Sequence, residues 1–283
     1  MKDRIMFLPR FVRTMLSAVV LSGLTTPLLV TTSIAHEFWI EPQKFQVESG
    51  ENLEVDLRNG QEFVGSRLAY FTNSFTRFDV AQGDQVRAVD GRMGDRPAMQ
   101  MVPDADGLLI ILHETTPAKV RYKEWPKFLK FAAHKDFKDI EARHDALGFP
   151  RENFRELYTR HVKALVGVGD AKGSDRAYGL KTEFVALTNP YDADFDGQMQ
   201  VQVLLDGAPR IDTQIEIFHR AADDTVTITL ARTDDQGRAT IAVTTGDYLF
   251  DAVVLEPFDT DVADAPKDVV WQTYWAALTF AVP

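Results

Sequence analysis

From about Leu180 onward the chain carries seven strand-length segments, near 184–187, 199–205, 213–218, 225–230, 239–243, 248–255 and 275–282, with turn residues between them. Strands this short and this evenly spaced hide their apolar positions by stacking one sheet on another, so the spacing predicts a β-sandwich. From His36 to about Tyr122 the signals are similar. Leu53 to Leu57 and Arg77 to Ala81 alternate apolar and polar residues, and Leu108 to Leu112 is an unbroken apolar run of buried-strand length. Turn chemistry at Glu48-Ser49-Gly50, Asp90-Gly91 and Asp104-Ala105-Asp106-Gly107 separates them. This part reads as a second, smaller antiparallel sandwich or barrel.

Between the two the period changes. Phe154, Leu157, Tyr158, Val162 and Leu165 follow a 3.6-residue repeat, with Pro150 suited to a helix start. Gly148 suits the stop of an earlier short helix carrying Ile140, His144 and Leu147. The expected architecture is mostly β: two β-sandwich domains, 36–122 and 179–283, with a short helical insertion of two or three helices over 123–178. Within the second sandwich, LDGAPRIDTQIEIF and TDDQGRATIAVTTGDYLFDAVV resemble a prealbumin-type or collagen-adhesin-B-type repeat, with Gly237 and Gly246 supplying turn conformations. That resemblance implies a fold and no activity. The Asp- and Pro-rich stretch 256–268 reads as a solvated loop, because its spacing matches no calcium template.

The start of the chain bears on function. Lys2, Arg4, Arg10 and Arg13 precede a mostly apolar run from Met15 to Ile34, and Ser33-Ile34-Ala35 fits the small-x-small cleavage rule. Residues 1–35 are therefore expected to be a signal peptide, the mature chain to begin at His36 and to be exported, and nothing to remain embedded in a membrane after cleavage. The formal charge of −11 repels nucleic acid and anionic membranes and favours cations or neutral ligands. With no cysteine, thiolate metal sites and redox disulfides are excluded, and any metal must be held by nitrogen and oxygen.

A leading His36 offers an imidazole and a free α-amine, whose reference pKa of ~7.7–8.0 lets a metal displace its proton. Amine and Nδ1 close a small chelate ring, and Glu37 adds a carboxylate. A second imidazole is needed, with His113 preferred at the end of its strand and His144 as the alternative. His134 reads as a solvated helix surface, His161 as a core residue and His219 as loop surface. No nucleophile elbow, dinucleotide or phosphate loop, or His-Glu-x-x-His is present, so the chain is not expected to be an enzyme. Trp271 and Trp275, four apart near the end, read as core at a domain seam in preference to a sugar-stacking platform.

The leading AHEFWIEP, the segment RPAMQMVPDADGLLIILHETTPAKVRYKEWPKFLKF, the stretch FRELYTRHVKALVGVG, read as a helix, and the closing WQTYWAALTF resemble, in that order, a family of exported bacterial proteins catalogued as a domain of unknown function. Some members are described as the periplasmic component of cobalt or nickel uptake. His36, Glu37, Phe38 and Trp39 match the family's opening pattern, and Tyr158, Arg160, Lys163 and Leu165 match a later one. His161 stands where an aromatic residue is usual, and His113 where other residues are tolerated. The resemblance implies a periplasmic protein that binds nickel or cobalt and works with a membrane transporter, while the amine–imidazole chelate of His36 also suits copper. The alternative is a non-enzymatic envelope module that holds a partner protein or glycan. A third reading, a copper oxidase, needs a flat exposed site around His36.

Overall fold

The structure, a computed structural model, describes residues 36–259 and 266–283. The expected signal peptide and the middle of the 256–268 stretch lie outside the described residues. The first part holds β1 (Glu37–Pro42), β2 (Gln46–Val47), β3 (Leu53–Gln61), β4 (Val64–Leu68), β5 (Phe75–Gln82), β6 (Gln85–Ala88), β7 (Met99–Met101), β8 (Gly107–Thr115) and β9 (Ala118–Tyr122). Next come α1 (Trp125–His134), α2 (Ile140–Ala146) and β10 (Phe154–Val168). The remainder is β11 (Thr182–Ala186), β12 (Gln198–Leu205), β13 (Ala208–Pro209), β14 (Gln214–Arg220), β15 (Val226–Arg232), β16 (Arg238–Ala242), β17 (Gly246–Pro257) and β18 (Val269–Val282).

The chain is mostly β, and a ten-stranded sheet runs through its middle in the order β15-β14-β17-β18-β10-β8-β5-β6, with β2 and β9 added along β10. β10 and β18 pair in parallel, while β8, β14, β15 and β17 pair antiparallel to their neighbours. A four-stranded sheet of β1, β3, β4 and β7 covers one face of this layer, and another of β11, β12, β13 and β16 covers the other. Alternation along each central strand feeds the two cores. On β8, Leu109 and Ile111 join Trp39, Ile40 and Leu57, whereas Ile110 and Leu112 join Phe184, Met199 and Val201. On β10, Val162, Ala164 and Val166 take the first side and Leu165 the second.

The two sandwiches therefore share their middle sheet. Strands from 36–122, from 123–178 and from 179–283 all contribute to it, and the described residues form one compact unit. The expected helix over Phe154 to Leu165 is instead the fifteen-residue strand β10. From Arg160 to Val168 every residue of β10 is buried, so its apolar residues do not alternate, and a few of them happen to fall at helical intervals. Trp125–His134 and Ile140–Ala146 are helices. They close a third core in which Phe128, Phe131 and Ile140 pack on Trp271 and Trp275, both buried as expected. Gly246 has φ +139°, and a Cβ there would lie 2.5 Å from His219 Nε2 and 2.6 Å from the Arg220 carbonyl, so only glycine fits.

Candidate functional site

β1 starts at the junction between the first core and the helical core. His36, just before it, is exposed, and its carbonyl accepts a 2.6 Å hydrogen bond from Arg160 Nη2. Arg160 is buried on β10, with its guanidinium 4.5 Å from the Tyr158 ring centre and 5.7 Å from that of Trp275. Glu37 turns inward and brings its carboxylate within 3.7 Å of Lys135 Nζ.

Lys135 follows the last residue of α1 and is itself buried. Its ammonium donates to Glu216 Oε2 at 2.6 Å and to Asp251 Oδ2 at 2.9 Å, and lies 4.8 Å from the Trp275 ring centre. Glu216 on β14 and Asp251 on β17 are register partners, so the sheet places two acids side by side and the end of α1 lowers one cation onto both. Glu216 Oε1 in turn meets His134 Nε2 at 3.2 Å. Three carboxylates thus surround one buried ammonium beneath the start of β1.

Burial pushes the Glu37 carboxyl up to about 7, against the pull of Lys135 and with the help of Asp251 and Glu216. Burial also raises Asp251, which Lys135 opposes. Glu216 is raised by burial too, but the His134 hydrogen bond and the Lys135 charge outweigh this and hold it down at about 2. For Lys135, burial disfavours the charge, yet Asp251, Glu216 and Glu37 together keep its pKa above the ordinary value. Close by, Glu156 on β10 is wholly buried, accepting from Tyr122 Oη at 2.9 Å and from Thr273 Oγ1, while Thr273 accepts from Trp275 Nε1 at 3.1 Å. Burial lifts Glu156 to about 7 despite those donors.

The structure keeps His36 and Glu37 together and removes His113 and His144 from the ligand set. His113 lies inside β8, not at a rim, with its ring within 5.3 Å of those of Phe38, Phe75 and Phe78 and neither nitrogen bonded. Burial drives its pKa down to about 3, so it stays neutral and sealed from any ion. His144 is in the helical core, where Trp271 Nε1 donates to its Nδ1 at 3.0 Å and its Nε2 faces the Pro150 carbonyl at 3.1 Å. Both nitrogens are used. Among the described residues no group of three or more His, Asp or Glu side chains is arranged to hold a metal ion. Glu37 faces inward, with Oε1 3.7 Å from Lys135 Nζ and Oε2 without a hydrogen-bond partner. His161 is buried and bonded to Thr159, as a core residue should be. His219 is not in a loop but in β14, stacked on Tyr248 with ring centres 4.6 Å apart.

Lys135, Arg160, Glu216 and Asp251 were not legible as a site from spacing. The available signal was a charge inside an otherwise apolar strand, as in Ile215-Glu216-Ile217 and Phe250-Asp251-Ala252. A separate polar cleft of about 520 Å³ is lined by Arg58, Arg67, Arg220, Glu41, Asp56 and Asp247, whose charges pair with one another. Among the described residues no helix is long and apolar enough to cross a membrane.

Fold and site define a three-layer β protein whose first strand is pinned at its start by a buried ion cluster. The chain belongs to the family described as domain of unknown function DUF4198, whose model matches residues 33–256. No curated protein matches it. Among solved structures it is similar to the D0-D1 domain of intimin, at 12% identity over 86% of this chain and 97% of that one, with a TM-score of 0.19. It is also similar to a tetra-tandem repeat in the extending region of a large adhesion protein, at 9% identity over 87% of this chain and 49% of that one, with a TM-score of 0.20.

Proposed function

We propose that this chain binds a divalent transition-metal ion, nickel, cobalt or copper, at His36 after removal of residues 1–35, and buffers it or passes it to a membrane transporter in the periplasm. The observation that supports this reading is the Arg160 hydrogen bond to the His36 carbonyl, with Glu37 locked behind it. Together they hold the residue that would become the chain start in one place and leave its side chain exposed. The α-amine and Nδ1 of His36 supply two donors, and neither needs a preformed side-chain cage. The further positions are open to water or to a donor from the receiving protein. The chain's formal charge of −11 also favours a positive ion. A scaffold role loses its aromatic surface, because Trp271 and Trp275 are both in the core.

The test is to express the chain with its own leader, confirm the mature mass, and titrate Ni(II), Co(II), Cu(II) and Zn(II) by calorimetry beside a form carrying one alanine before His36. The mature form should bind, and the extended form should lose most of that affinity. Equal binding by both, or binding by neither, would refute the terminal chelate.

A further inference from the structure

On the opposite face of β10 from Arg160 lies a second buried lysine. Lys163 is completely enclosed, yet its Nζ is 2.8 Å from Asp175 Oδ2, 3.1 Å from Glu183 Oε1 and 3.0 Å from the Arg176 carbonyl. Asp175 is as deeply buried: Oδ2 also accepts the Ala186 N–H at 2.8 Å, and Oδ1 has no hydrogen-bond partner. Glu183 is fixed in turn by the N–H groups of Tyr178, Gly179 and Leu180. The Tyr178 ring covers the amine, its centre 5.0 Å from Nζ.

An amine and a carboxyl held this way are reactants as well as an ion pair. In water, hydration keeps both groups charged and opposes their condensation. Out of water, the charged pair loses that hydration, and proton transfer to the neutral amine and acid becomes accessible. Fixed contact removes the entropic barrier to their meeting. Burial raises the Asp175 carboxyl above its ordinary range although Lys163 pulls it down, which favours its reactive, protonated form. The Ala186 N–H fixes Oδ2 beside the ammonium and so holds the carboxyl carbon within reach of the amine.

We propose that Lys163 and Asp175 form an intramolecular isopeptide bond, with Glu183 as the proton carrier. The ammonium gives one proton to Oδ2 of Asp175, the oxygen it already contacts, leaving a neutral amine and a carboxylic acid. Nζ attacks Cγ and the C–N bond forms. Glu183 takes a second proton from the nitrogen beside it, and that proton returns to the Oδ2 hydroxyl. The Cγ–Oδ2 bond then breaks and one water leaves, with Oδ1 kept as the amide oxygen. No oxidant, reductant or cofactor is needed, and Glu183 ends as the carboxylate it began as. The bond would fasten the connector between β10 and β11 to the central sheet in a chain that has no cysteine for a disulfide.

Intact-mass spectrometry of the purified, denatured mature protein tests this. The expected mass is lower by one water than the processed sequence requires, and digestion should yield a branched peptide joining Lys163 to Asp175. A full, unreduced mass would overturn the proposal. Lys163→Met should restore the full mass; if that variant is still lighter by one water, the loss is a succinimide elsewhere and the proposal fails. Glu183→Gln keeps both reactants and should accumulate the uncrosslinked chain, and complete crosslinking in that variant would remove Glu183 from the mechanism.

Discussion

Lys135 Nζ lies 2.6 Å from Glu216 Oε2, a contact that spans 81 residues of sequence and ties the end of α1 to the central sheet. The same ammonium serves Asp251 and approaches Glu37, so one buried cation joins the helical core, the middle layer and the start of the first strand.

Replacing it, as in Lys135→Met, should cost about 3–5 kcal/mol at pH 7, because three buried carboxylates then lose the ammonium between them. The loss should shrink toward pH 2. In the native chain the depressed Glu216 contributes stability above its unfolded value of 4.5 that disappears as pH falls through about 2. In the variant the His134 hydrogen bond remains and the part owed to Lys135 is gone, so the two chains converge as the carboxyls take up protons. Urea midpoints at pH 7 and near pH 2 would show the gap closing, and a constant gap would mean that the lysine acts by packing alone.

Arg160→Met tests the link between this cluster and the chain start. Leaving the His36 carbonyl and Asp251 without the guanidinium should cost about 1–3 kcal/mol in stability. On the proposed function, the mature chain should also bind metal more weakly, since the chelating residue is no longer held. Calorimetry on folded Arg160→Met at low temperature separates the two effects, because lost stability with unaltered affinity would confine the arginine to the fold.

Much of the architecture was readable because surface-facing and core-facing residues alternate in β3, β12 and β16, where only one side of the strand is covered. β10 was misread for the converse reason. With Val162, Ala164 and Val166 on one core and Leu165 on the other, periodicity carries no information about strand or helix. The site was half legible. His36 and Glu37 stand out beside a cleavage pattern, but their supports Arg160, Lys135, Glu216 and Asp251 come from four distant segments that only the sheet order brings together. His113 misled because Glu114-Thr115-Thr116-Pro117 after it reads as a strand end, whereas β8 continues to Thr115 and the ring remains inside.

Glu156 gives a prediction with a defined pH window. Its carboxyl is raised from 4.5 to about 7 by burial, so between those values the folded chain holds a proton that the unfolded chain has lost. Its contribution is therefore full below about pH 4.5 and is lost as pH rises to 7. Glu156→Gln keeps a neutral, hydrogen-bonding side chain against Tyr122 and Thr273 and does not titrate. Relative to the native chain it should be near neutral at pH 5 and more stable by about 2–3 kcal/mol at pH 8, from the size of the shift. Guanidinium melts at the two pH values measure the difference, and a variant that loses stability equally at both would show that the carboxyl is ionised in the folded protein.

His113 gives the opposite sign. Its imidazole sits among Phe38, Phe75 and Phe78 with both nitrogens unbonded, and burial lowers its pKa from 6.5 to about 3. The folded chain therefore holds it neutral while the unfolded chain protonates it below 6.5. The associated stability is complete above that pH and drains away as pH falls toward 3. His113→Leu fills a similar volume without a polar atom and cannot titrate. It should be about 1–3 kcal/mol more stable than the native chain at pH 7, through relief of an unsatisfied buried group. At pH 5 the advantage should grow by roughly 2 kcal/mol, the linkage value for a group that titrates at 6.5 unfolded and far lower when folded. Urea unfolding at pH 5 and pH 7, with metal titration of the same mature variant as a companion, checks both halves. Since His113 cannot reach an ion, binding should be unchanged, and a loss of affinity in this variant would return the residue to the metal site.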